Sequence, residues 1–464
     1  MPAPKVKLVN IFARAYDNFL ATARTCYSAS GIVEPEALAV DEEDTSEEAQ
    51  RRRERKRALA QSLFEAGHHT TLQHAHVQFA LDGVSRQFIW SFLHSHPFYN
   101  SEQVSQRYVS VSRDSFYVPE GLSESGRRRF EAALQARMDD YYSLCDLLRE
   151  PLAEDYYARF SGRRGTKRAQ VDIQRRAQEI ARYVLPVATV ACLYHTVSLI
   201  TLLRYWRLAN EFDAPAEQRL VVGAMVEAVL EREPQLRSIV QEPLALEDTP
   251  EYAFFADRAE EALFSTVKQW EVDVANARAF TAEFDAELGG ATSRLADFGA
   301  RNEQVLADAV REVLGVTRGG LSDDAAIALL LDPGQNRLFG EPMNLAMHSK
   351  LGRTLFHARY TFRKRLSHAA DSQDQRHRTA PGSRPILMRH YTGAPDYYLP
   401  AVVAGHAQAR ERYERGPGIG AAAGVRYPHI AALSELAATV SVEDDFDGGL
   451  RMLIAGIEIG RAHV

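Results

Sequence analysis

The first stretch able to do chemistry is 67–108, GHHTTLQHAHVQFALDGVSRQFIWSFLHSHPFYNSEQVSQRY, where Arg, Gln, Glu, Ser, His and Tyr sit among aromatic residues. Arg86 and Arg107 offer rigid forks of N–H donors, matched in shape to a phosphate or a carboxylate. Glu102 and Gln103 can accept from or donate to a base ring, and the Ser105 hydroxyl can donate to a phosphate oxygen. The set suits an anionic, planar, partly polar ligand such as a nucleotide. The same composition also describes a helix–loop–helix with solvated charges. The second stretch is 353–385, RTLFHARYTFRKRLSHAADSQDQRHRTAPGSRP, the most basic and histidine-rich part of the chain. His357, His368 and His377 are candidates for imidazole roles near neutral pH. Their spacing fits no standard zinc pattern, and a helix laced with surface ion pairs is the alternative.

The elements that must position these residues belong to a chain of 464 residues, long enough for two ordinary domains. A net charge of −7 gives no sign of a nucleic-acid coat or an anionic-membrane binder. The apolar runs are far shorter than the roughly 20 residues that span a bilayer. The opening MPAPKVKLVNIF lacks the apolar core of a signal peptide. Cys26, Cys145 and Cys192 form no CxxC pair, so the chain reads as cytoplasmic, without structural disulfides or a metal site. Cys192 lies in an apolar, helix-like run and reads as packing. GPGIGAAAG at Gly416–Gly424 lacks the GxGxxG spacing and a preceding strand, and reads as a flexible loop.

Residues 5–12 read as a strand, 17–27 as a helix, and 74–81, which alternate polar and apolar, as a half-buried strand. Helices are expected at 83–93, 124–148, 171–184, 186–209 and 215–232. The pattern restarts near Ser293 with a short extended piece and then a helix, like the opening of the chain. The expected fold class is α+β, with two similar units, each a small twisted antiparallel sheet with long helices. The expected division is a first unit at 1–235, a connector at 236–290 and a second, divergent unit at 291–464.

The run from Arg86-Gln87 to Asn100-Ser-Glu-Gln-Val-Ser-Gln-Arg-Tyr-Val109 resembles the signature of the flavin-dependent thymidylate synthases. That family has Arg-Gln, two residues, Arg-His-Arg, seven residues, then Ser-x-Arg-Tyr. LVNIFARAYDNFLATARTCYSAS resembles the family's opening strand and helix, and HHTTLQHAHVQF, with His74, the segment entering the flavin site. Residues 179–206 resemble its late Leu-Pro helix. The resemblance implies a nucleotide side built from Arg86, Gln87, Glu102, Ser105, Arg107 and Arg182. The triplet is missing here: counting forward gives Trp90, Ser91 and Phe92, and counting back gives Ser95, His96 and Pro97. Counting from Leu185-Pro186, the family's flavin-anchoring Asn and Arg become Ser198 and Ile200, and a later nucleotide-binding Arg falls on Ala209.

The second half keeps what the first lacks. Arg376-His377-Arg378 is an intact triplet with Gln373 three residues before it, but no Ser-x-Arg-Tyr follows. The resemblance therefore implies FAD held by Arg376, His377, Arg378 and His74, with no side chain acting as covalent nucleophile. It implies methylation of dUMP to dTMP, with methylene-tetrahydrofolate and NADPH as co-substrates. It also implies a homo-oligomer, here a dimer of two-half chains. The motif losses keep open a catalytically degenerate protein that binds nucleotide or flavin in a structural or regulatory role. The closing EIGRAHV, Glu458–Val464, resembles a translated sequencing adapter, so the second unit is expected to be truncated.

Overall fold

The computed structural model describes residues 3–41, 43–120, 122–210, 215–256, 274–343, 345–376, 378, 380, 382–390, 392 and 397–414. His377, Gly416–Gly424 and the closing EIGRAHV lie outside these residues. The described chain is α+β, and every strand pair in it is antiparallel. It divides into two compact units, Met1–Thr281 with the residues from Ser367 on, and Ala282–Leu366. These bounds differ from the division at 235 and 290 read from the sequence.

The strands of the first unit are β1 (Lys5–Ile11), β2 (His76–Ser85), β3 (Asn100–Gln103) and β4 (Val190–Ser198). They form one sheet in the order β1-β2-β4-β3. Leu8 lies opposite Phe79, Phe79 opposite His195, and Glu102 opposite Tyr194. Alternation sends Val77, Phe79 and Leu81 of β2, and Ala191, Leu193 and Val197 of β4, into the core. The first five helices are α1 (Ala15–Thr25), α2 (Glu47–Glu65), α3 (Arg86–His94), α4 (Glu124–Leu147) and α5 (Arg149–Arg159). They are followed by α6 (Lys167–Ala181), α7 (Leu199–Arg207), α8 (Pro215–Arg232), α9 (Pro250–Ala256) and α10 (Val274–Leu288).

Phe19 and Leu20 of α1, Phe88 and Phe92 of α3, Leu202 of α7 and Met225 of α8 close over the sheet. Each fully buried side chain of this size contributes about 1.5–3 kcal/mol.

The single long helix expected at 186–209 is a strand followed by a helix, β4 then α7. Pro186 stops the preceding helical turn, and 190–198 alternate in and out between β2 and β3. Cys192 is accordingly an exposed strand residue, not a packed helical one.

The second unit holds β5 (Ser293–Phe298), α11 (Asn302–Leu314), α12 (Asp323–Leu331) and β6 (Tyr360–Lys364). Its core is Leu306, Val310, Ala326 and Leu330. Beyond it, α13 (His368–Asp374), α14 (Ala401–Ala404) and α15 (Ala407–Glu414) belong to the first unit. Val403, Ala409 and Tyr413 join the core of Phe130, Leu134 and Met138 on α4 and Ile173 and Ala177 on α6.

The two hairpins share a register. Leu8 pairs with Phe79 and Ile11 with Val77; Leu295 pairs with Phe362 and Phe298 with Tyr360. Both have an irregularity just after the leucine, between Leu8 and Asn10 and between Leu295 and Asp297. Phe12 N donates to His76 O, and Gly299 N to Arg359 O. Each first strand leads into a helix, α1 or α11. Each second strand is followed by a serine-capped helix: Ser85 Oγ accepts from Phe88 N and Ser367 Oγ from Ala370 N, both at 2.9 Å.

Candidate functional site

An open cleft in the first unit gathers residues from four segments. The first is α3, which presents Arg86 and, one turn on, Trp90 on the same face. The end of β3 and the turn after it bring Gln103, Val104 and Ser105. The turn between α6 and β4 brings Arg182, Tyr183 and Pro186. The fourth is α13 and its exit, with His368, Ser372, Gln373 and Arg376 along one helical face. Backbone bonds from Arg86 N to Thr189 O and from Gln87 N to Val187 O tie the start of α3 to the Pro186 turn.

The electrostatics are one-sided. Arg86 Nη1 donates to Gln103 Oε1 and Nη2 to Val104 O, both at 2.8 Å. Its Nε, and the buried Nε of Arg182, have no partner. Burial pushes the Arg86 guanidinium down to about 10, helped by repulsion from Arg182 and Arg376. Among the described residues, none of these three arginines pairs with a carboxylate. Three guanidinium groups converge without a counter-charge beside the planar walls of Trp90 and Tyr183, an arrangement chemically suited to an anion attached to a ring.

Behind the cleft, Trp90 Nε1 donates to Asp371 Oδ2 at 2.8 Å, and Arg384 Nε lies 2.8 Å from Asp371 Oδ1. His94 Nε2 is 3.7 Å from the same carboxylate, too long for a hydrogen bond. Burial holds His94 down at about 4 despite Asp371.

The predicted residues divide as follows. Arg86, Ser105, Arg182 and Arg376 meet at the cleft. Gln87, on the next helical position, is buried with its Oε1 unpartnered. Glu102 is exposed, pointing away from the face its neighbour Gln103 lines. Arg107 Nε lies 2.8 Å from Glu179 Oε1, at ion-pair distance without an aligned hydrogen bond. His74 is exposed at the end of a short turn, His69–Gln73, outside the lining. Arg378 packs over the Tyr99 ring, 5.0 Å from its centroid. His357 is exposed in the second unit, whereas His368 lines the cleft and stacks near Trp90. Sequence reasoning missed Trp90, Tyr183 and Asp371; only the four-residue step from Arg86 to Trp90 signalled the first.

Arg376 stands nine residues after the capping Ser367, and His94 stands nine residues after the capping Ser85.

Residues 7–235 match the family model described as thymidylate synthase complementing protein. Through this segment the chain is similar to the flavin-dependent thymidylate synthases. A flavin-dependent thymidylate synthase of Nitratidesulfovibrio vulgaris is 26% identical over 235 residues, 50% of this chain and 85% of the relative. One from Clostridium tetani is 26% identical over 232 residues, 50% of this chain and 84% of the relative. One from Mycobacterium sp. strain JLS is 33% identical over 174 residues, 36% of this chain and 63% of the relative. The crystal structure of a UMP/dUMP methylase, PolB from Streptomyces cacaoi, bound with 5-Br UMP, aligns at 18% identity and a TM-score of 0.35, over 53% of this chain and 98% of that one.

Proposed function

We propose that the chain is a flavin-dependent thymidylate synthase-like enzyme that methylates dUMP to dTMP, with methylene-tetrahydrofolate and NADPH as co-substrates. The observation that carries this is the convergence of Arg86, Arg182 and Arg376 without a carboxylate, beside aromatic walls. Unpartnered buried Nε atoms on Arg86 and Arg182 fit phosphate oxygens, the groups that a nucleotide or FAD would bring. Arg86 and Arg182 would take the nucleotide phosphate, with Ser105 as a further donor. Arg376, with Arg378 and His377, would hold the flavin phosphates. When bound, the flavin supplies the hydride chemistry. The chain's part is to orient the two rings and keep water from between them; Trp90, Tyr183 and Pro186 form the apolar side of that enclosure. Gln87, Glu102, Arg107 and His74 remain proposed contacts, reached through a change in side-chain conformation.

The shared register of the two hairpins supports a tandem chain of two related halves, 1–235 and 291–464 joined by 236–290, associating as a homo-oligomer. The second reading, a degenerate binding protein, is favoured by one observation: His94-Ser95-His96 stands where the first half would carry its triplet. The deciding assay is dUMP-dependent oxidation of NADPH, with dTMP as product, by protein loaded with FAD. Tight dUMP binding without turnover selects the degenerate reading. Absence of both overturns the proposal.

A further inference from the structure

The polar cluster behind the cleft has a task that the ligand-facing residues cannot do for themselves. Arg376 stands in a field made by Arg86 and Arg182, and like charges repel. Something must hold it there before any anion arrives. Its own element cannot: α13 has only 7 residues, about two turns, too short to be stable alone. Asp371 sits in that helix, 9% exposed, and its carboxylate needs partners to stay out of water. It has them on both sides. One oxygen accepts from Trp90 Nε1, which fixes α13 against α3. Arg384 Nε reaches both oxygens, at 2.8 and 2.9 Å, and so closes the chain from 371 to 384 into a loop. Arg376 and Arg378 lie within that loop.

We propose that Asp371 is the positioning residue that holds Arg376 in the cleft, by clamping α13 to Trp90 and closing the 371–384 loop through Arg384. The inference rests on the reading of the cleft as an anion site, and it concerns a residue that would touch no ligand.

The test is a double-mutant cycle on the full chain, with D371A, R376A and the double variant titrated with dUMP and, separately, with FAD by calorimetry. R376A is expected to weaken the ligand that Arg376 holds about tenfold or more, the scale of one charge-assisted contact. D371A is expected to weaken the same ligand nearly as much, and the double variant no more than R376A alone. Which of the two ligands responds tells whether Arg376 serves the nucleotide phosphate or the flavin pyrophosphate. Near-UV circular dichroism gives a second readout: D371A should alter the Trp90 signal, and D371N, which keeps an acceptor for the indole, should restore part of it. If D371A does not fold, D371N carries the cycle. Additive losses, or variants at Asp371 that bind as the unmodified chain does while R376A is weakened, overturn the role of Asp371. If the unmodified chain binds neither dUMP nor FAD, the anion reading falls, and the inference with it.

Discussion

Ser85 gives its backbone N–H to Glu217 Oε1 at 2.7 Å and its hydroxyl to Glu217 Oε2 at 2.5 Å, while the same hydroxyl caps α3. The fully buried carboxyl therefore anchors the helix that carries Arg86. Burial pushes Glu217 up to about 7 from 4.5, and the two bonds from Ser85 only partly offset this. A raised carboxyl stabilises most below its unfolded value. Stability is expected to fall as pH rises from 4.5 through 7 and then to level, by about 3 kcal/mol in all. E217Q removes the ionisation and keeps an acceptor for Ser85. Urea midpoints should show the variant gaining on the unmodified chain between pH 5 and pH 8; parallel curves would refute the assignment.

His195 supplies the opposite slope. It is fully buried on β4 among Phe92, Tyr99 and Tyr205, with both ring nitrogens unpartnered. Burial pushes it down to about 3. A depressed imidazole contributes stability above its unfolded value, near 6.5, and loses it as pH falls, by about 2 kcal/mol between pH 6.5 and 5. H195F fills the same aromatic cage without orphaned polar atoms. It is expected to be neutral or stabilising at pH 7 and to lose that acid sensitivity in thermal melts. A loss above about 2 kcal/mol at pH 7 would mean that His195 has a polar partner after all.

Arg182 and Arg107 should separate in binding. Arg182 lines the cleft with a free Nε, whereas Arg107 already lies against Glu179. R182A is expected to cost about 1.5–3 kcal/mol in dUMP affinity. R107A should cost less, about 1 kcal/mol or below, because Arg107 is already held in a half-buried pair with Glu179. Calorimetry at one salt concentration decides; a larger loss in R107A would make Arg107 the principal phosphate ligand.

The parts of this arrangement legible in the sequence were those that local pattern controls. Alternation marked β2, and helical periodicity marked α8 and α4. Guanidinium chemistry marked Arg86, and the family resemblance marked Arg182 and Arg376. The strand β4 was hidden because apolar residues continue without a break into α7, and strand and helix look alike in such a run. Which of Glu102 and Gln103 lines the cleft was not legible, because a one-residue step along a strand reverses the face, and here Gln103 is on the cleft side. The Trp90–Asp371 bond joins residues 281 positions apart, a distance at which no spacing rule operates.

The last expectation is that each chain holds at most one FAD. The argument is electrostatic. A pyrophosphate needs convergent cationic donors, and the guanidinium groups of Arg376 and Arg378 would supply them. On the proposed reading of two related halves, the corresponding donors of the first half would be His94 and His96. Burial holds His94 at about 4, so it is neutral at pH 7 in spite of Asp371 nearby. His96 is also lowered, by burial and then by Arg204, whose Nη1 lies 3.2 Å from its Nε2. That contact requires an unprotonated acceptor on the imidazole. His94 and His96 are therefore uncharged where Arg376 and Arg378 are cationic, so on the proposed reading of two related halves only the arginine pair would balance a pyrophosphate. Flavin absorbance of purified protein, released on denaturation and counted against chain concentration, should give a ratio of one or below after saturation with FAD. R376A with R378A should abolish it while the melting curve stays cooperative. Two FAD per chain would show that the histidine triplet binds without charge, and the division of labour between the halves would then be wrong.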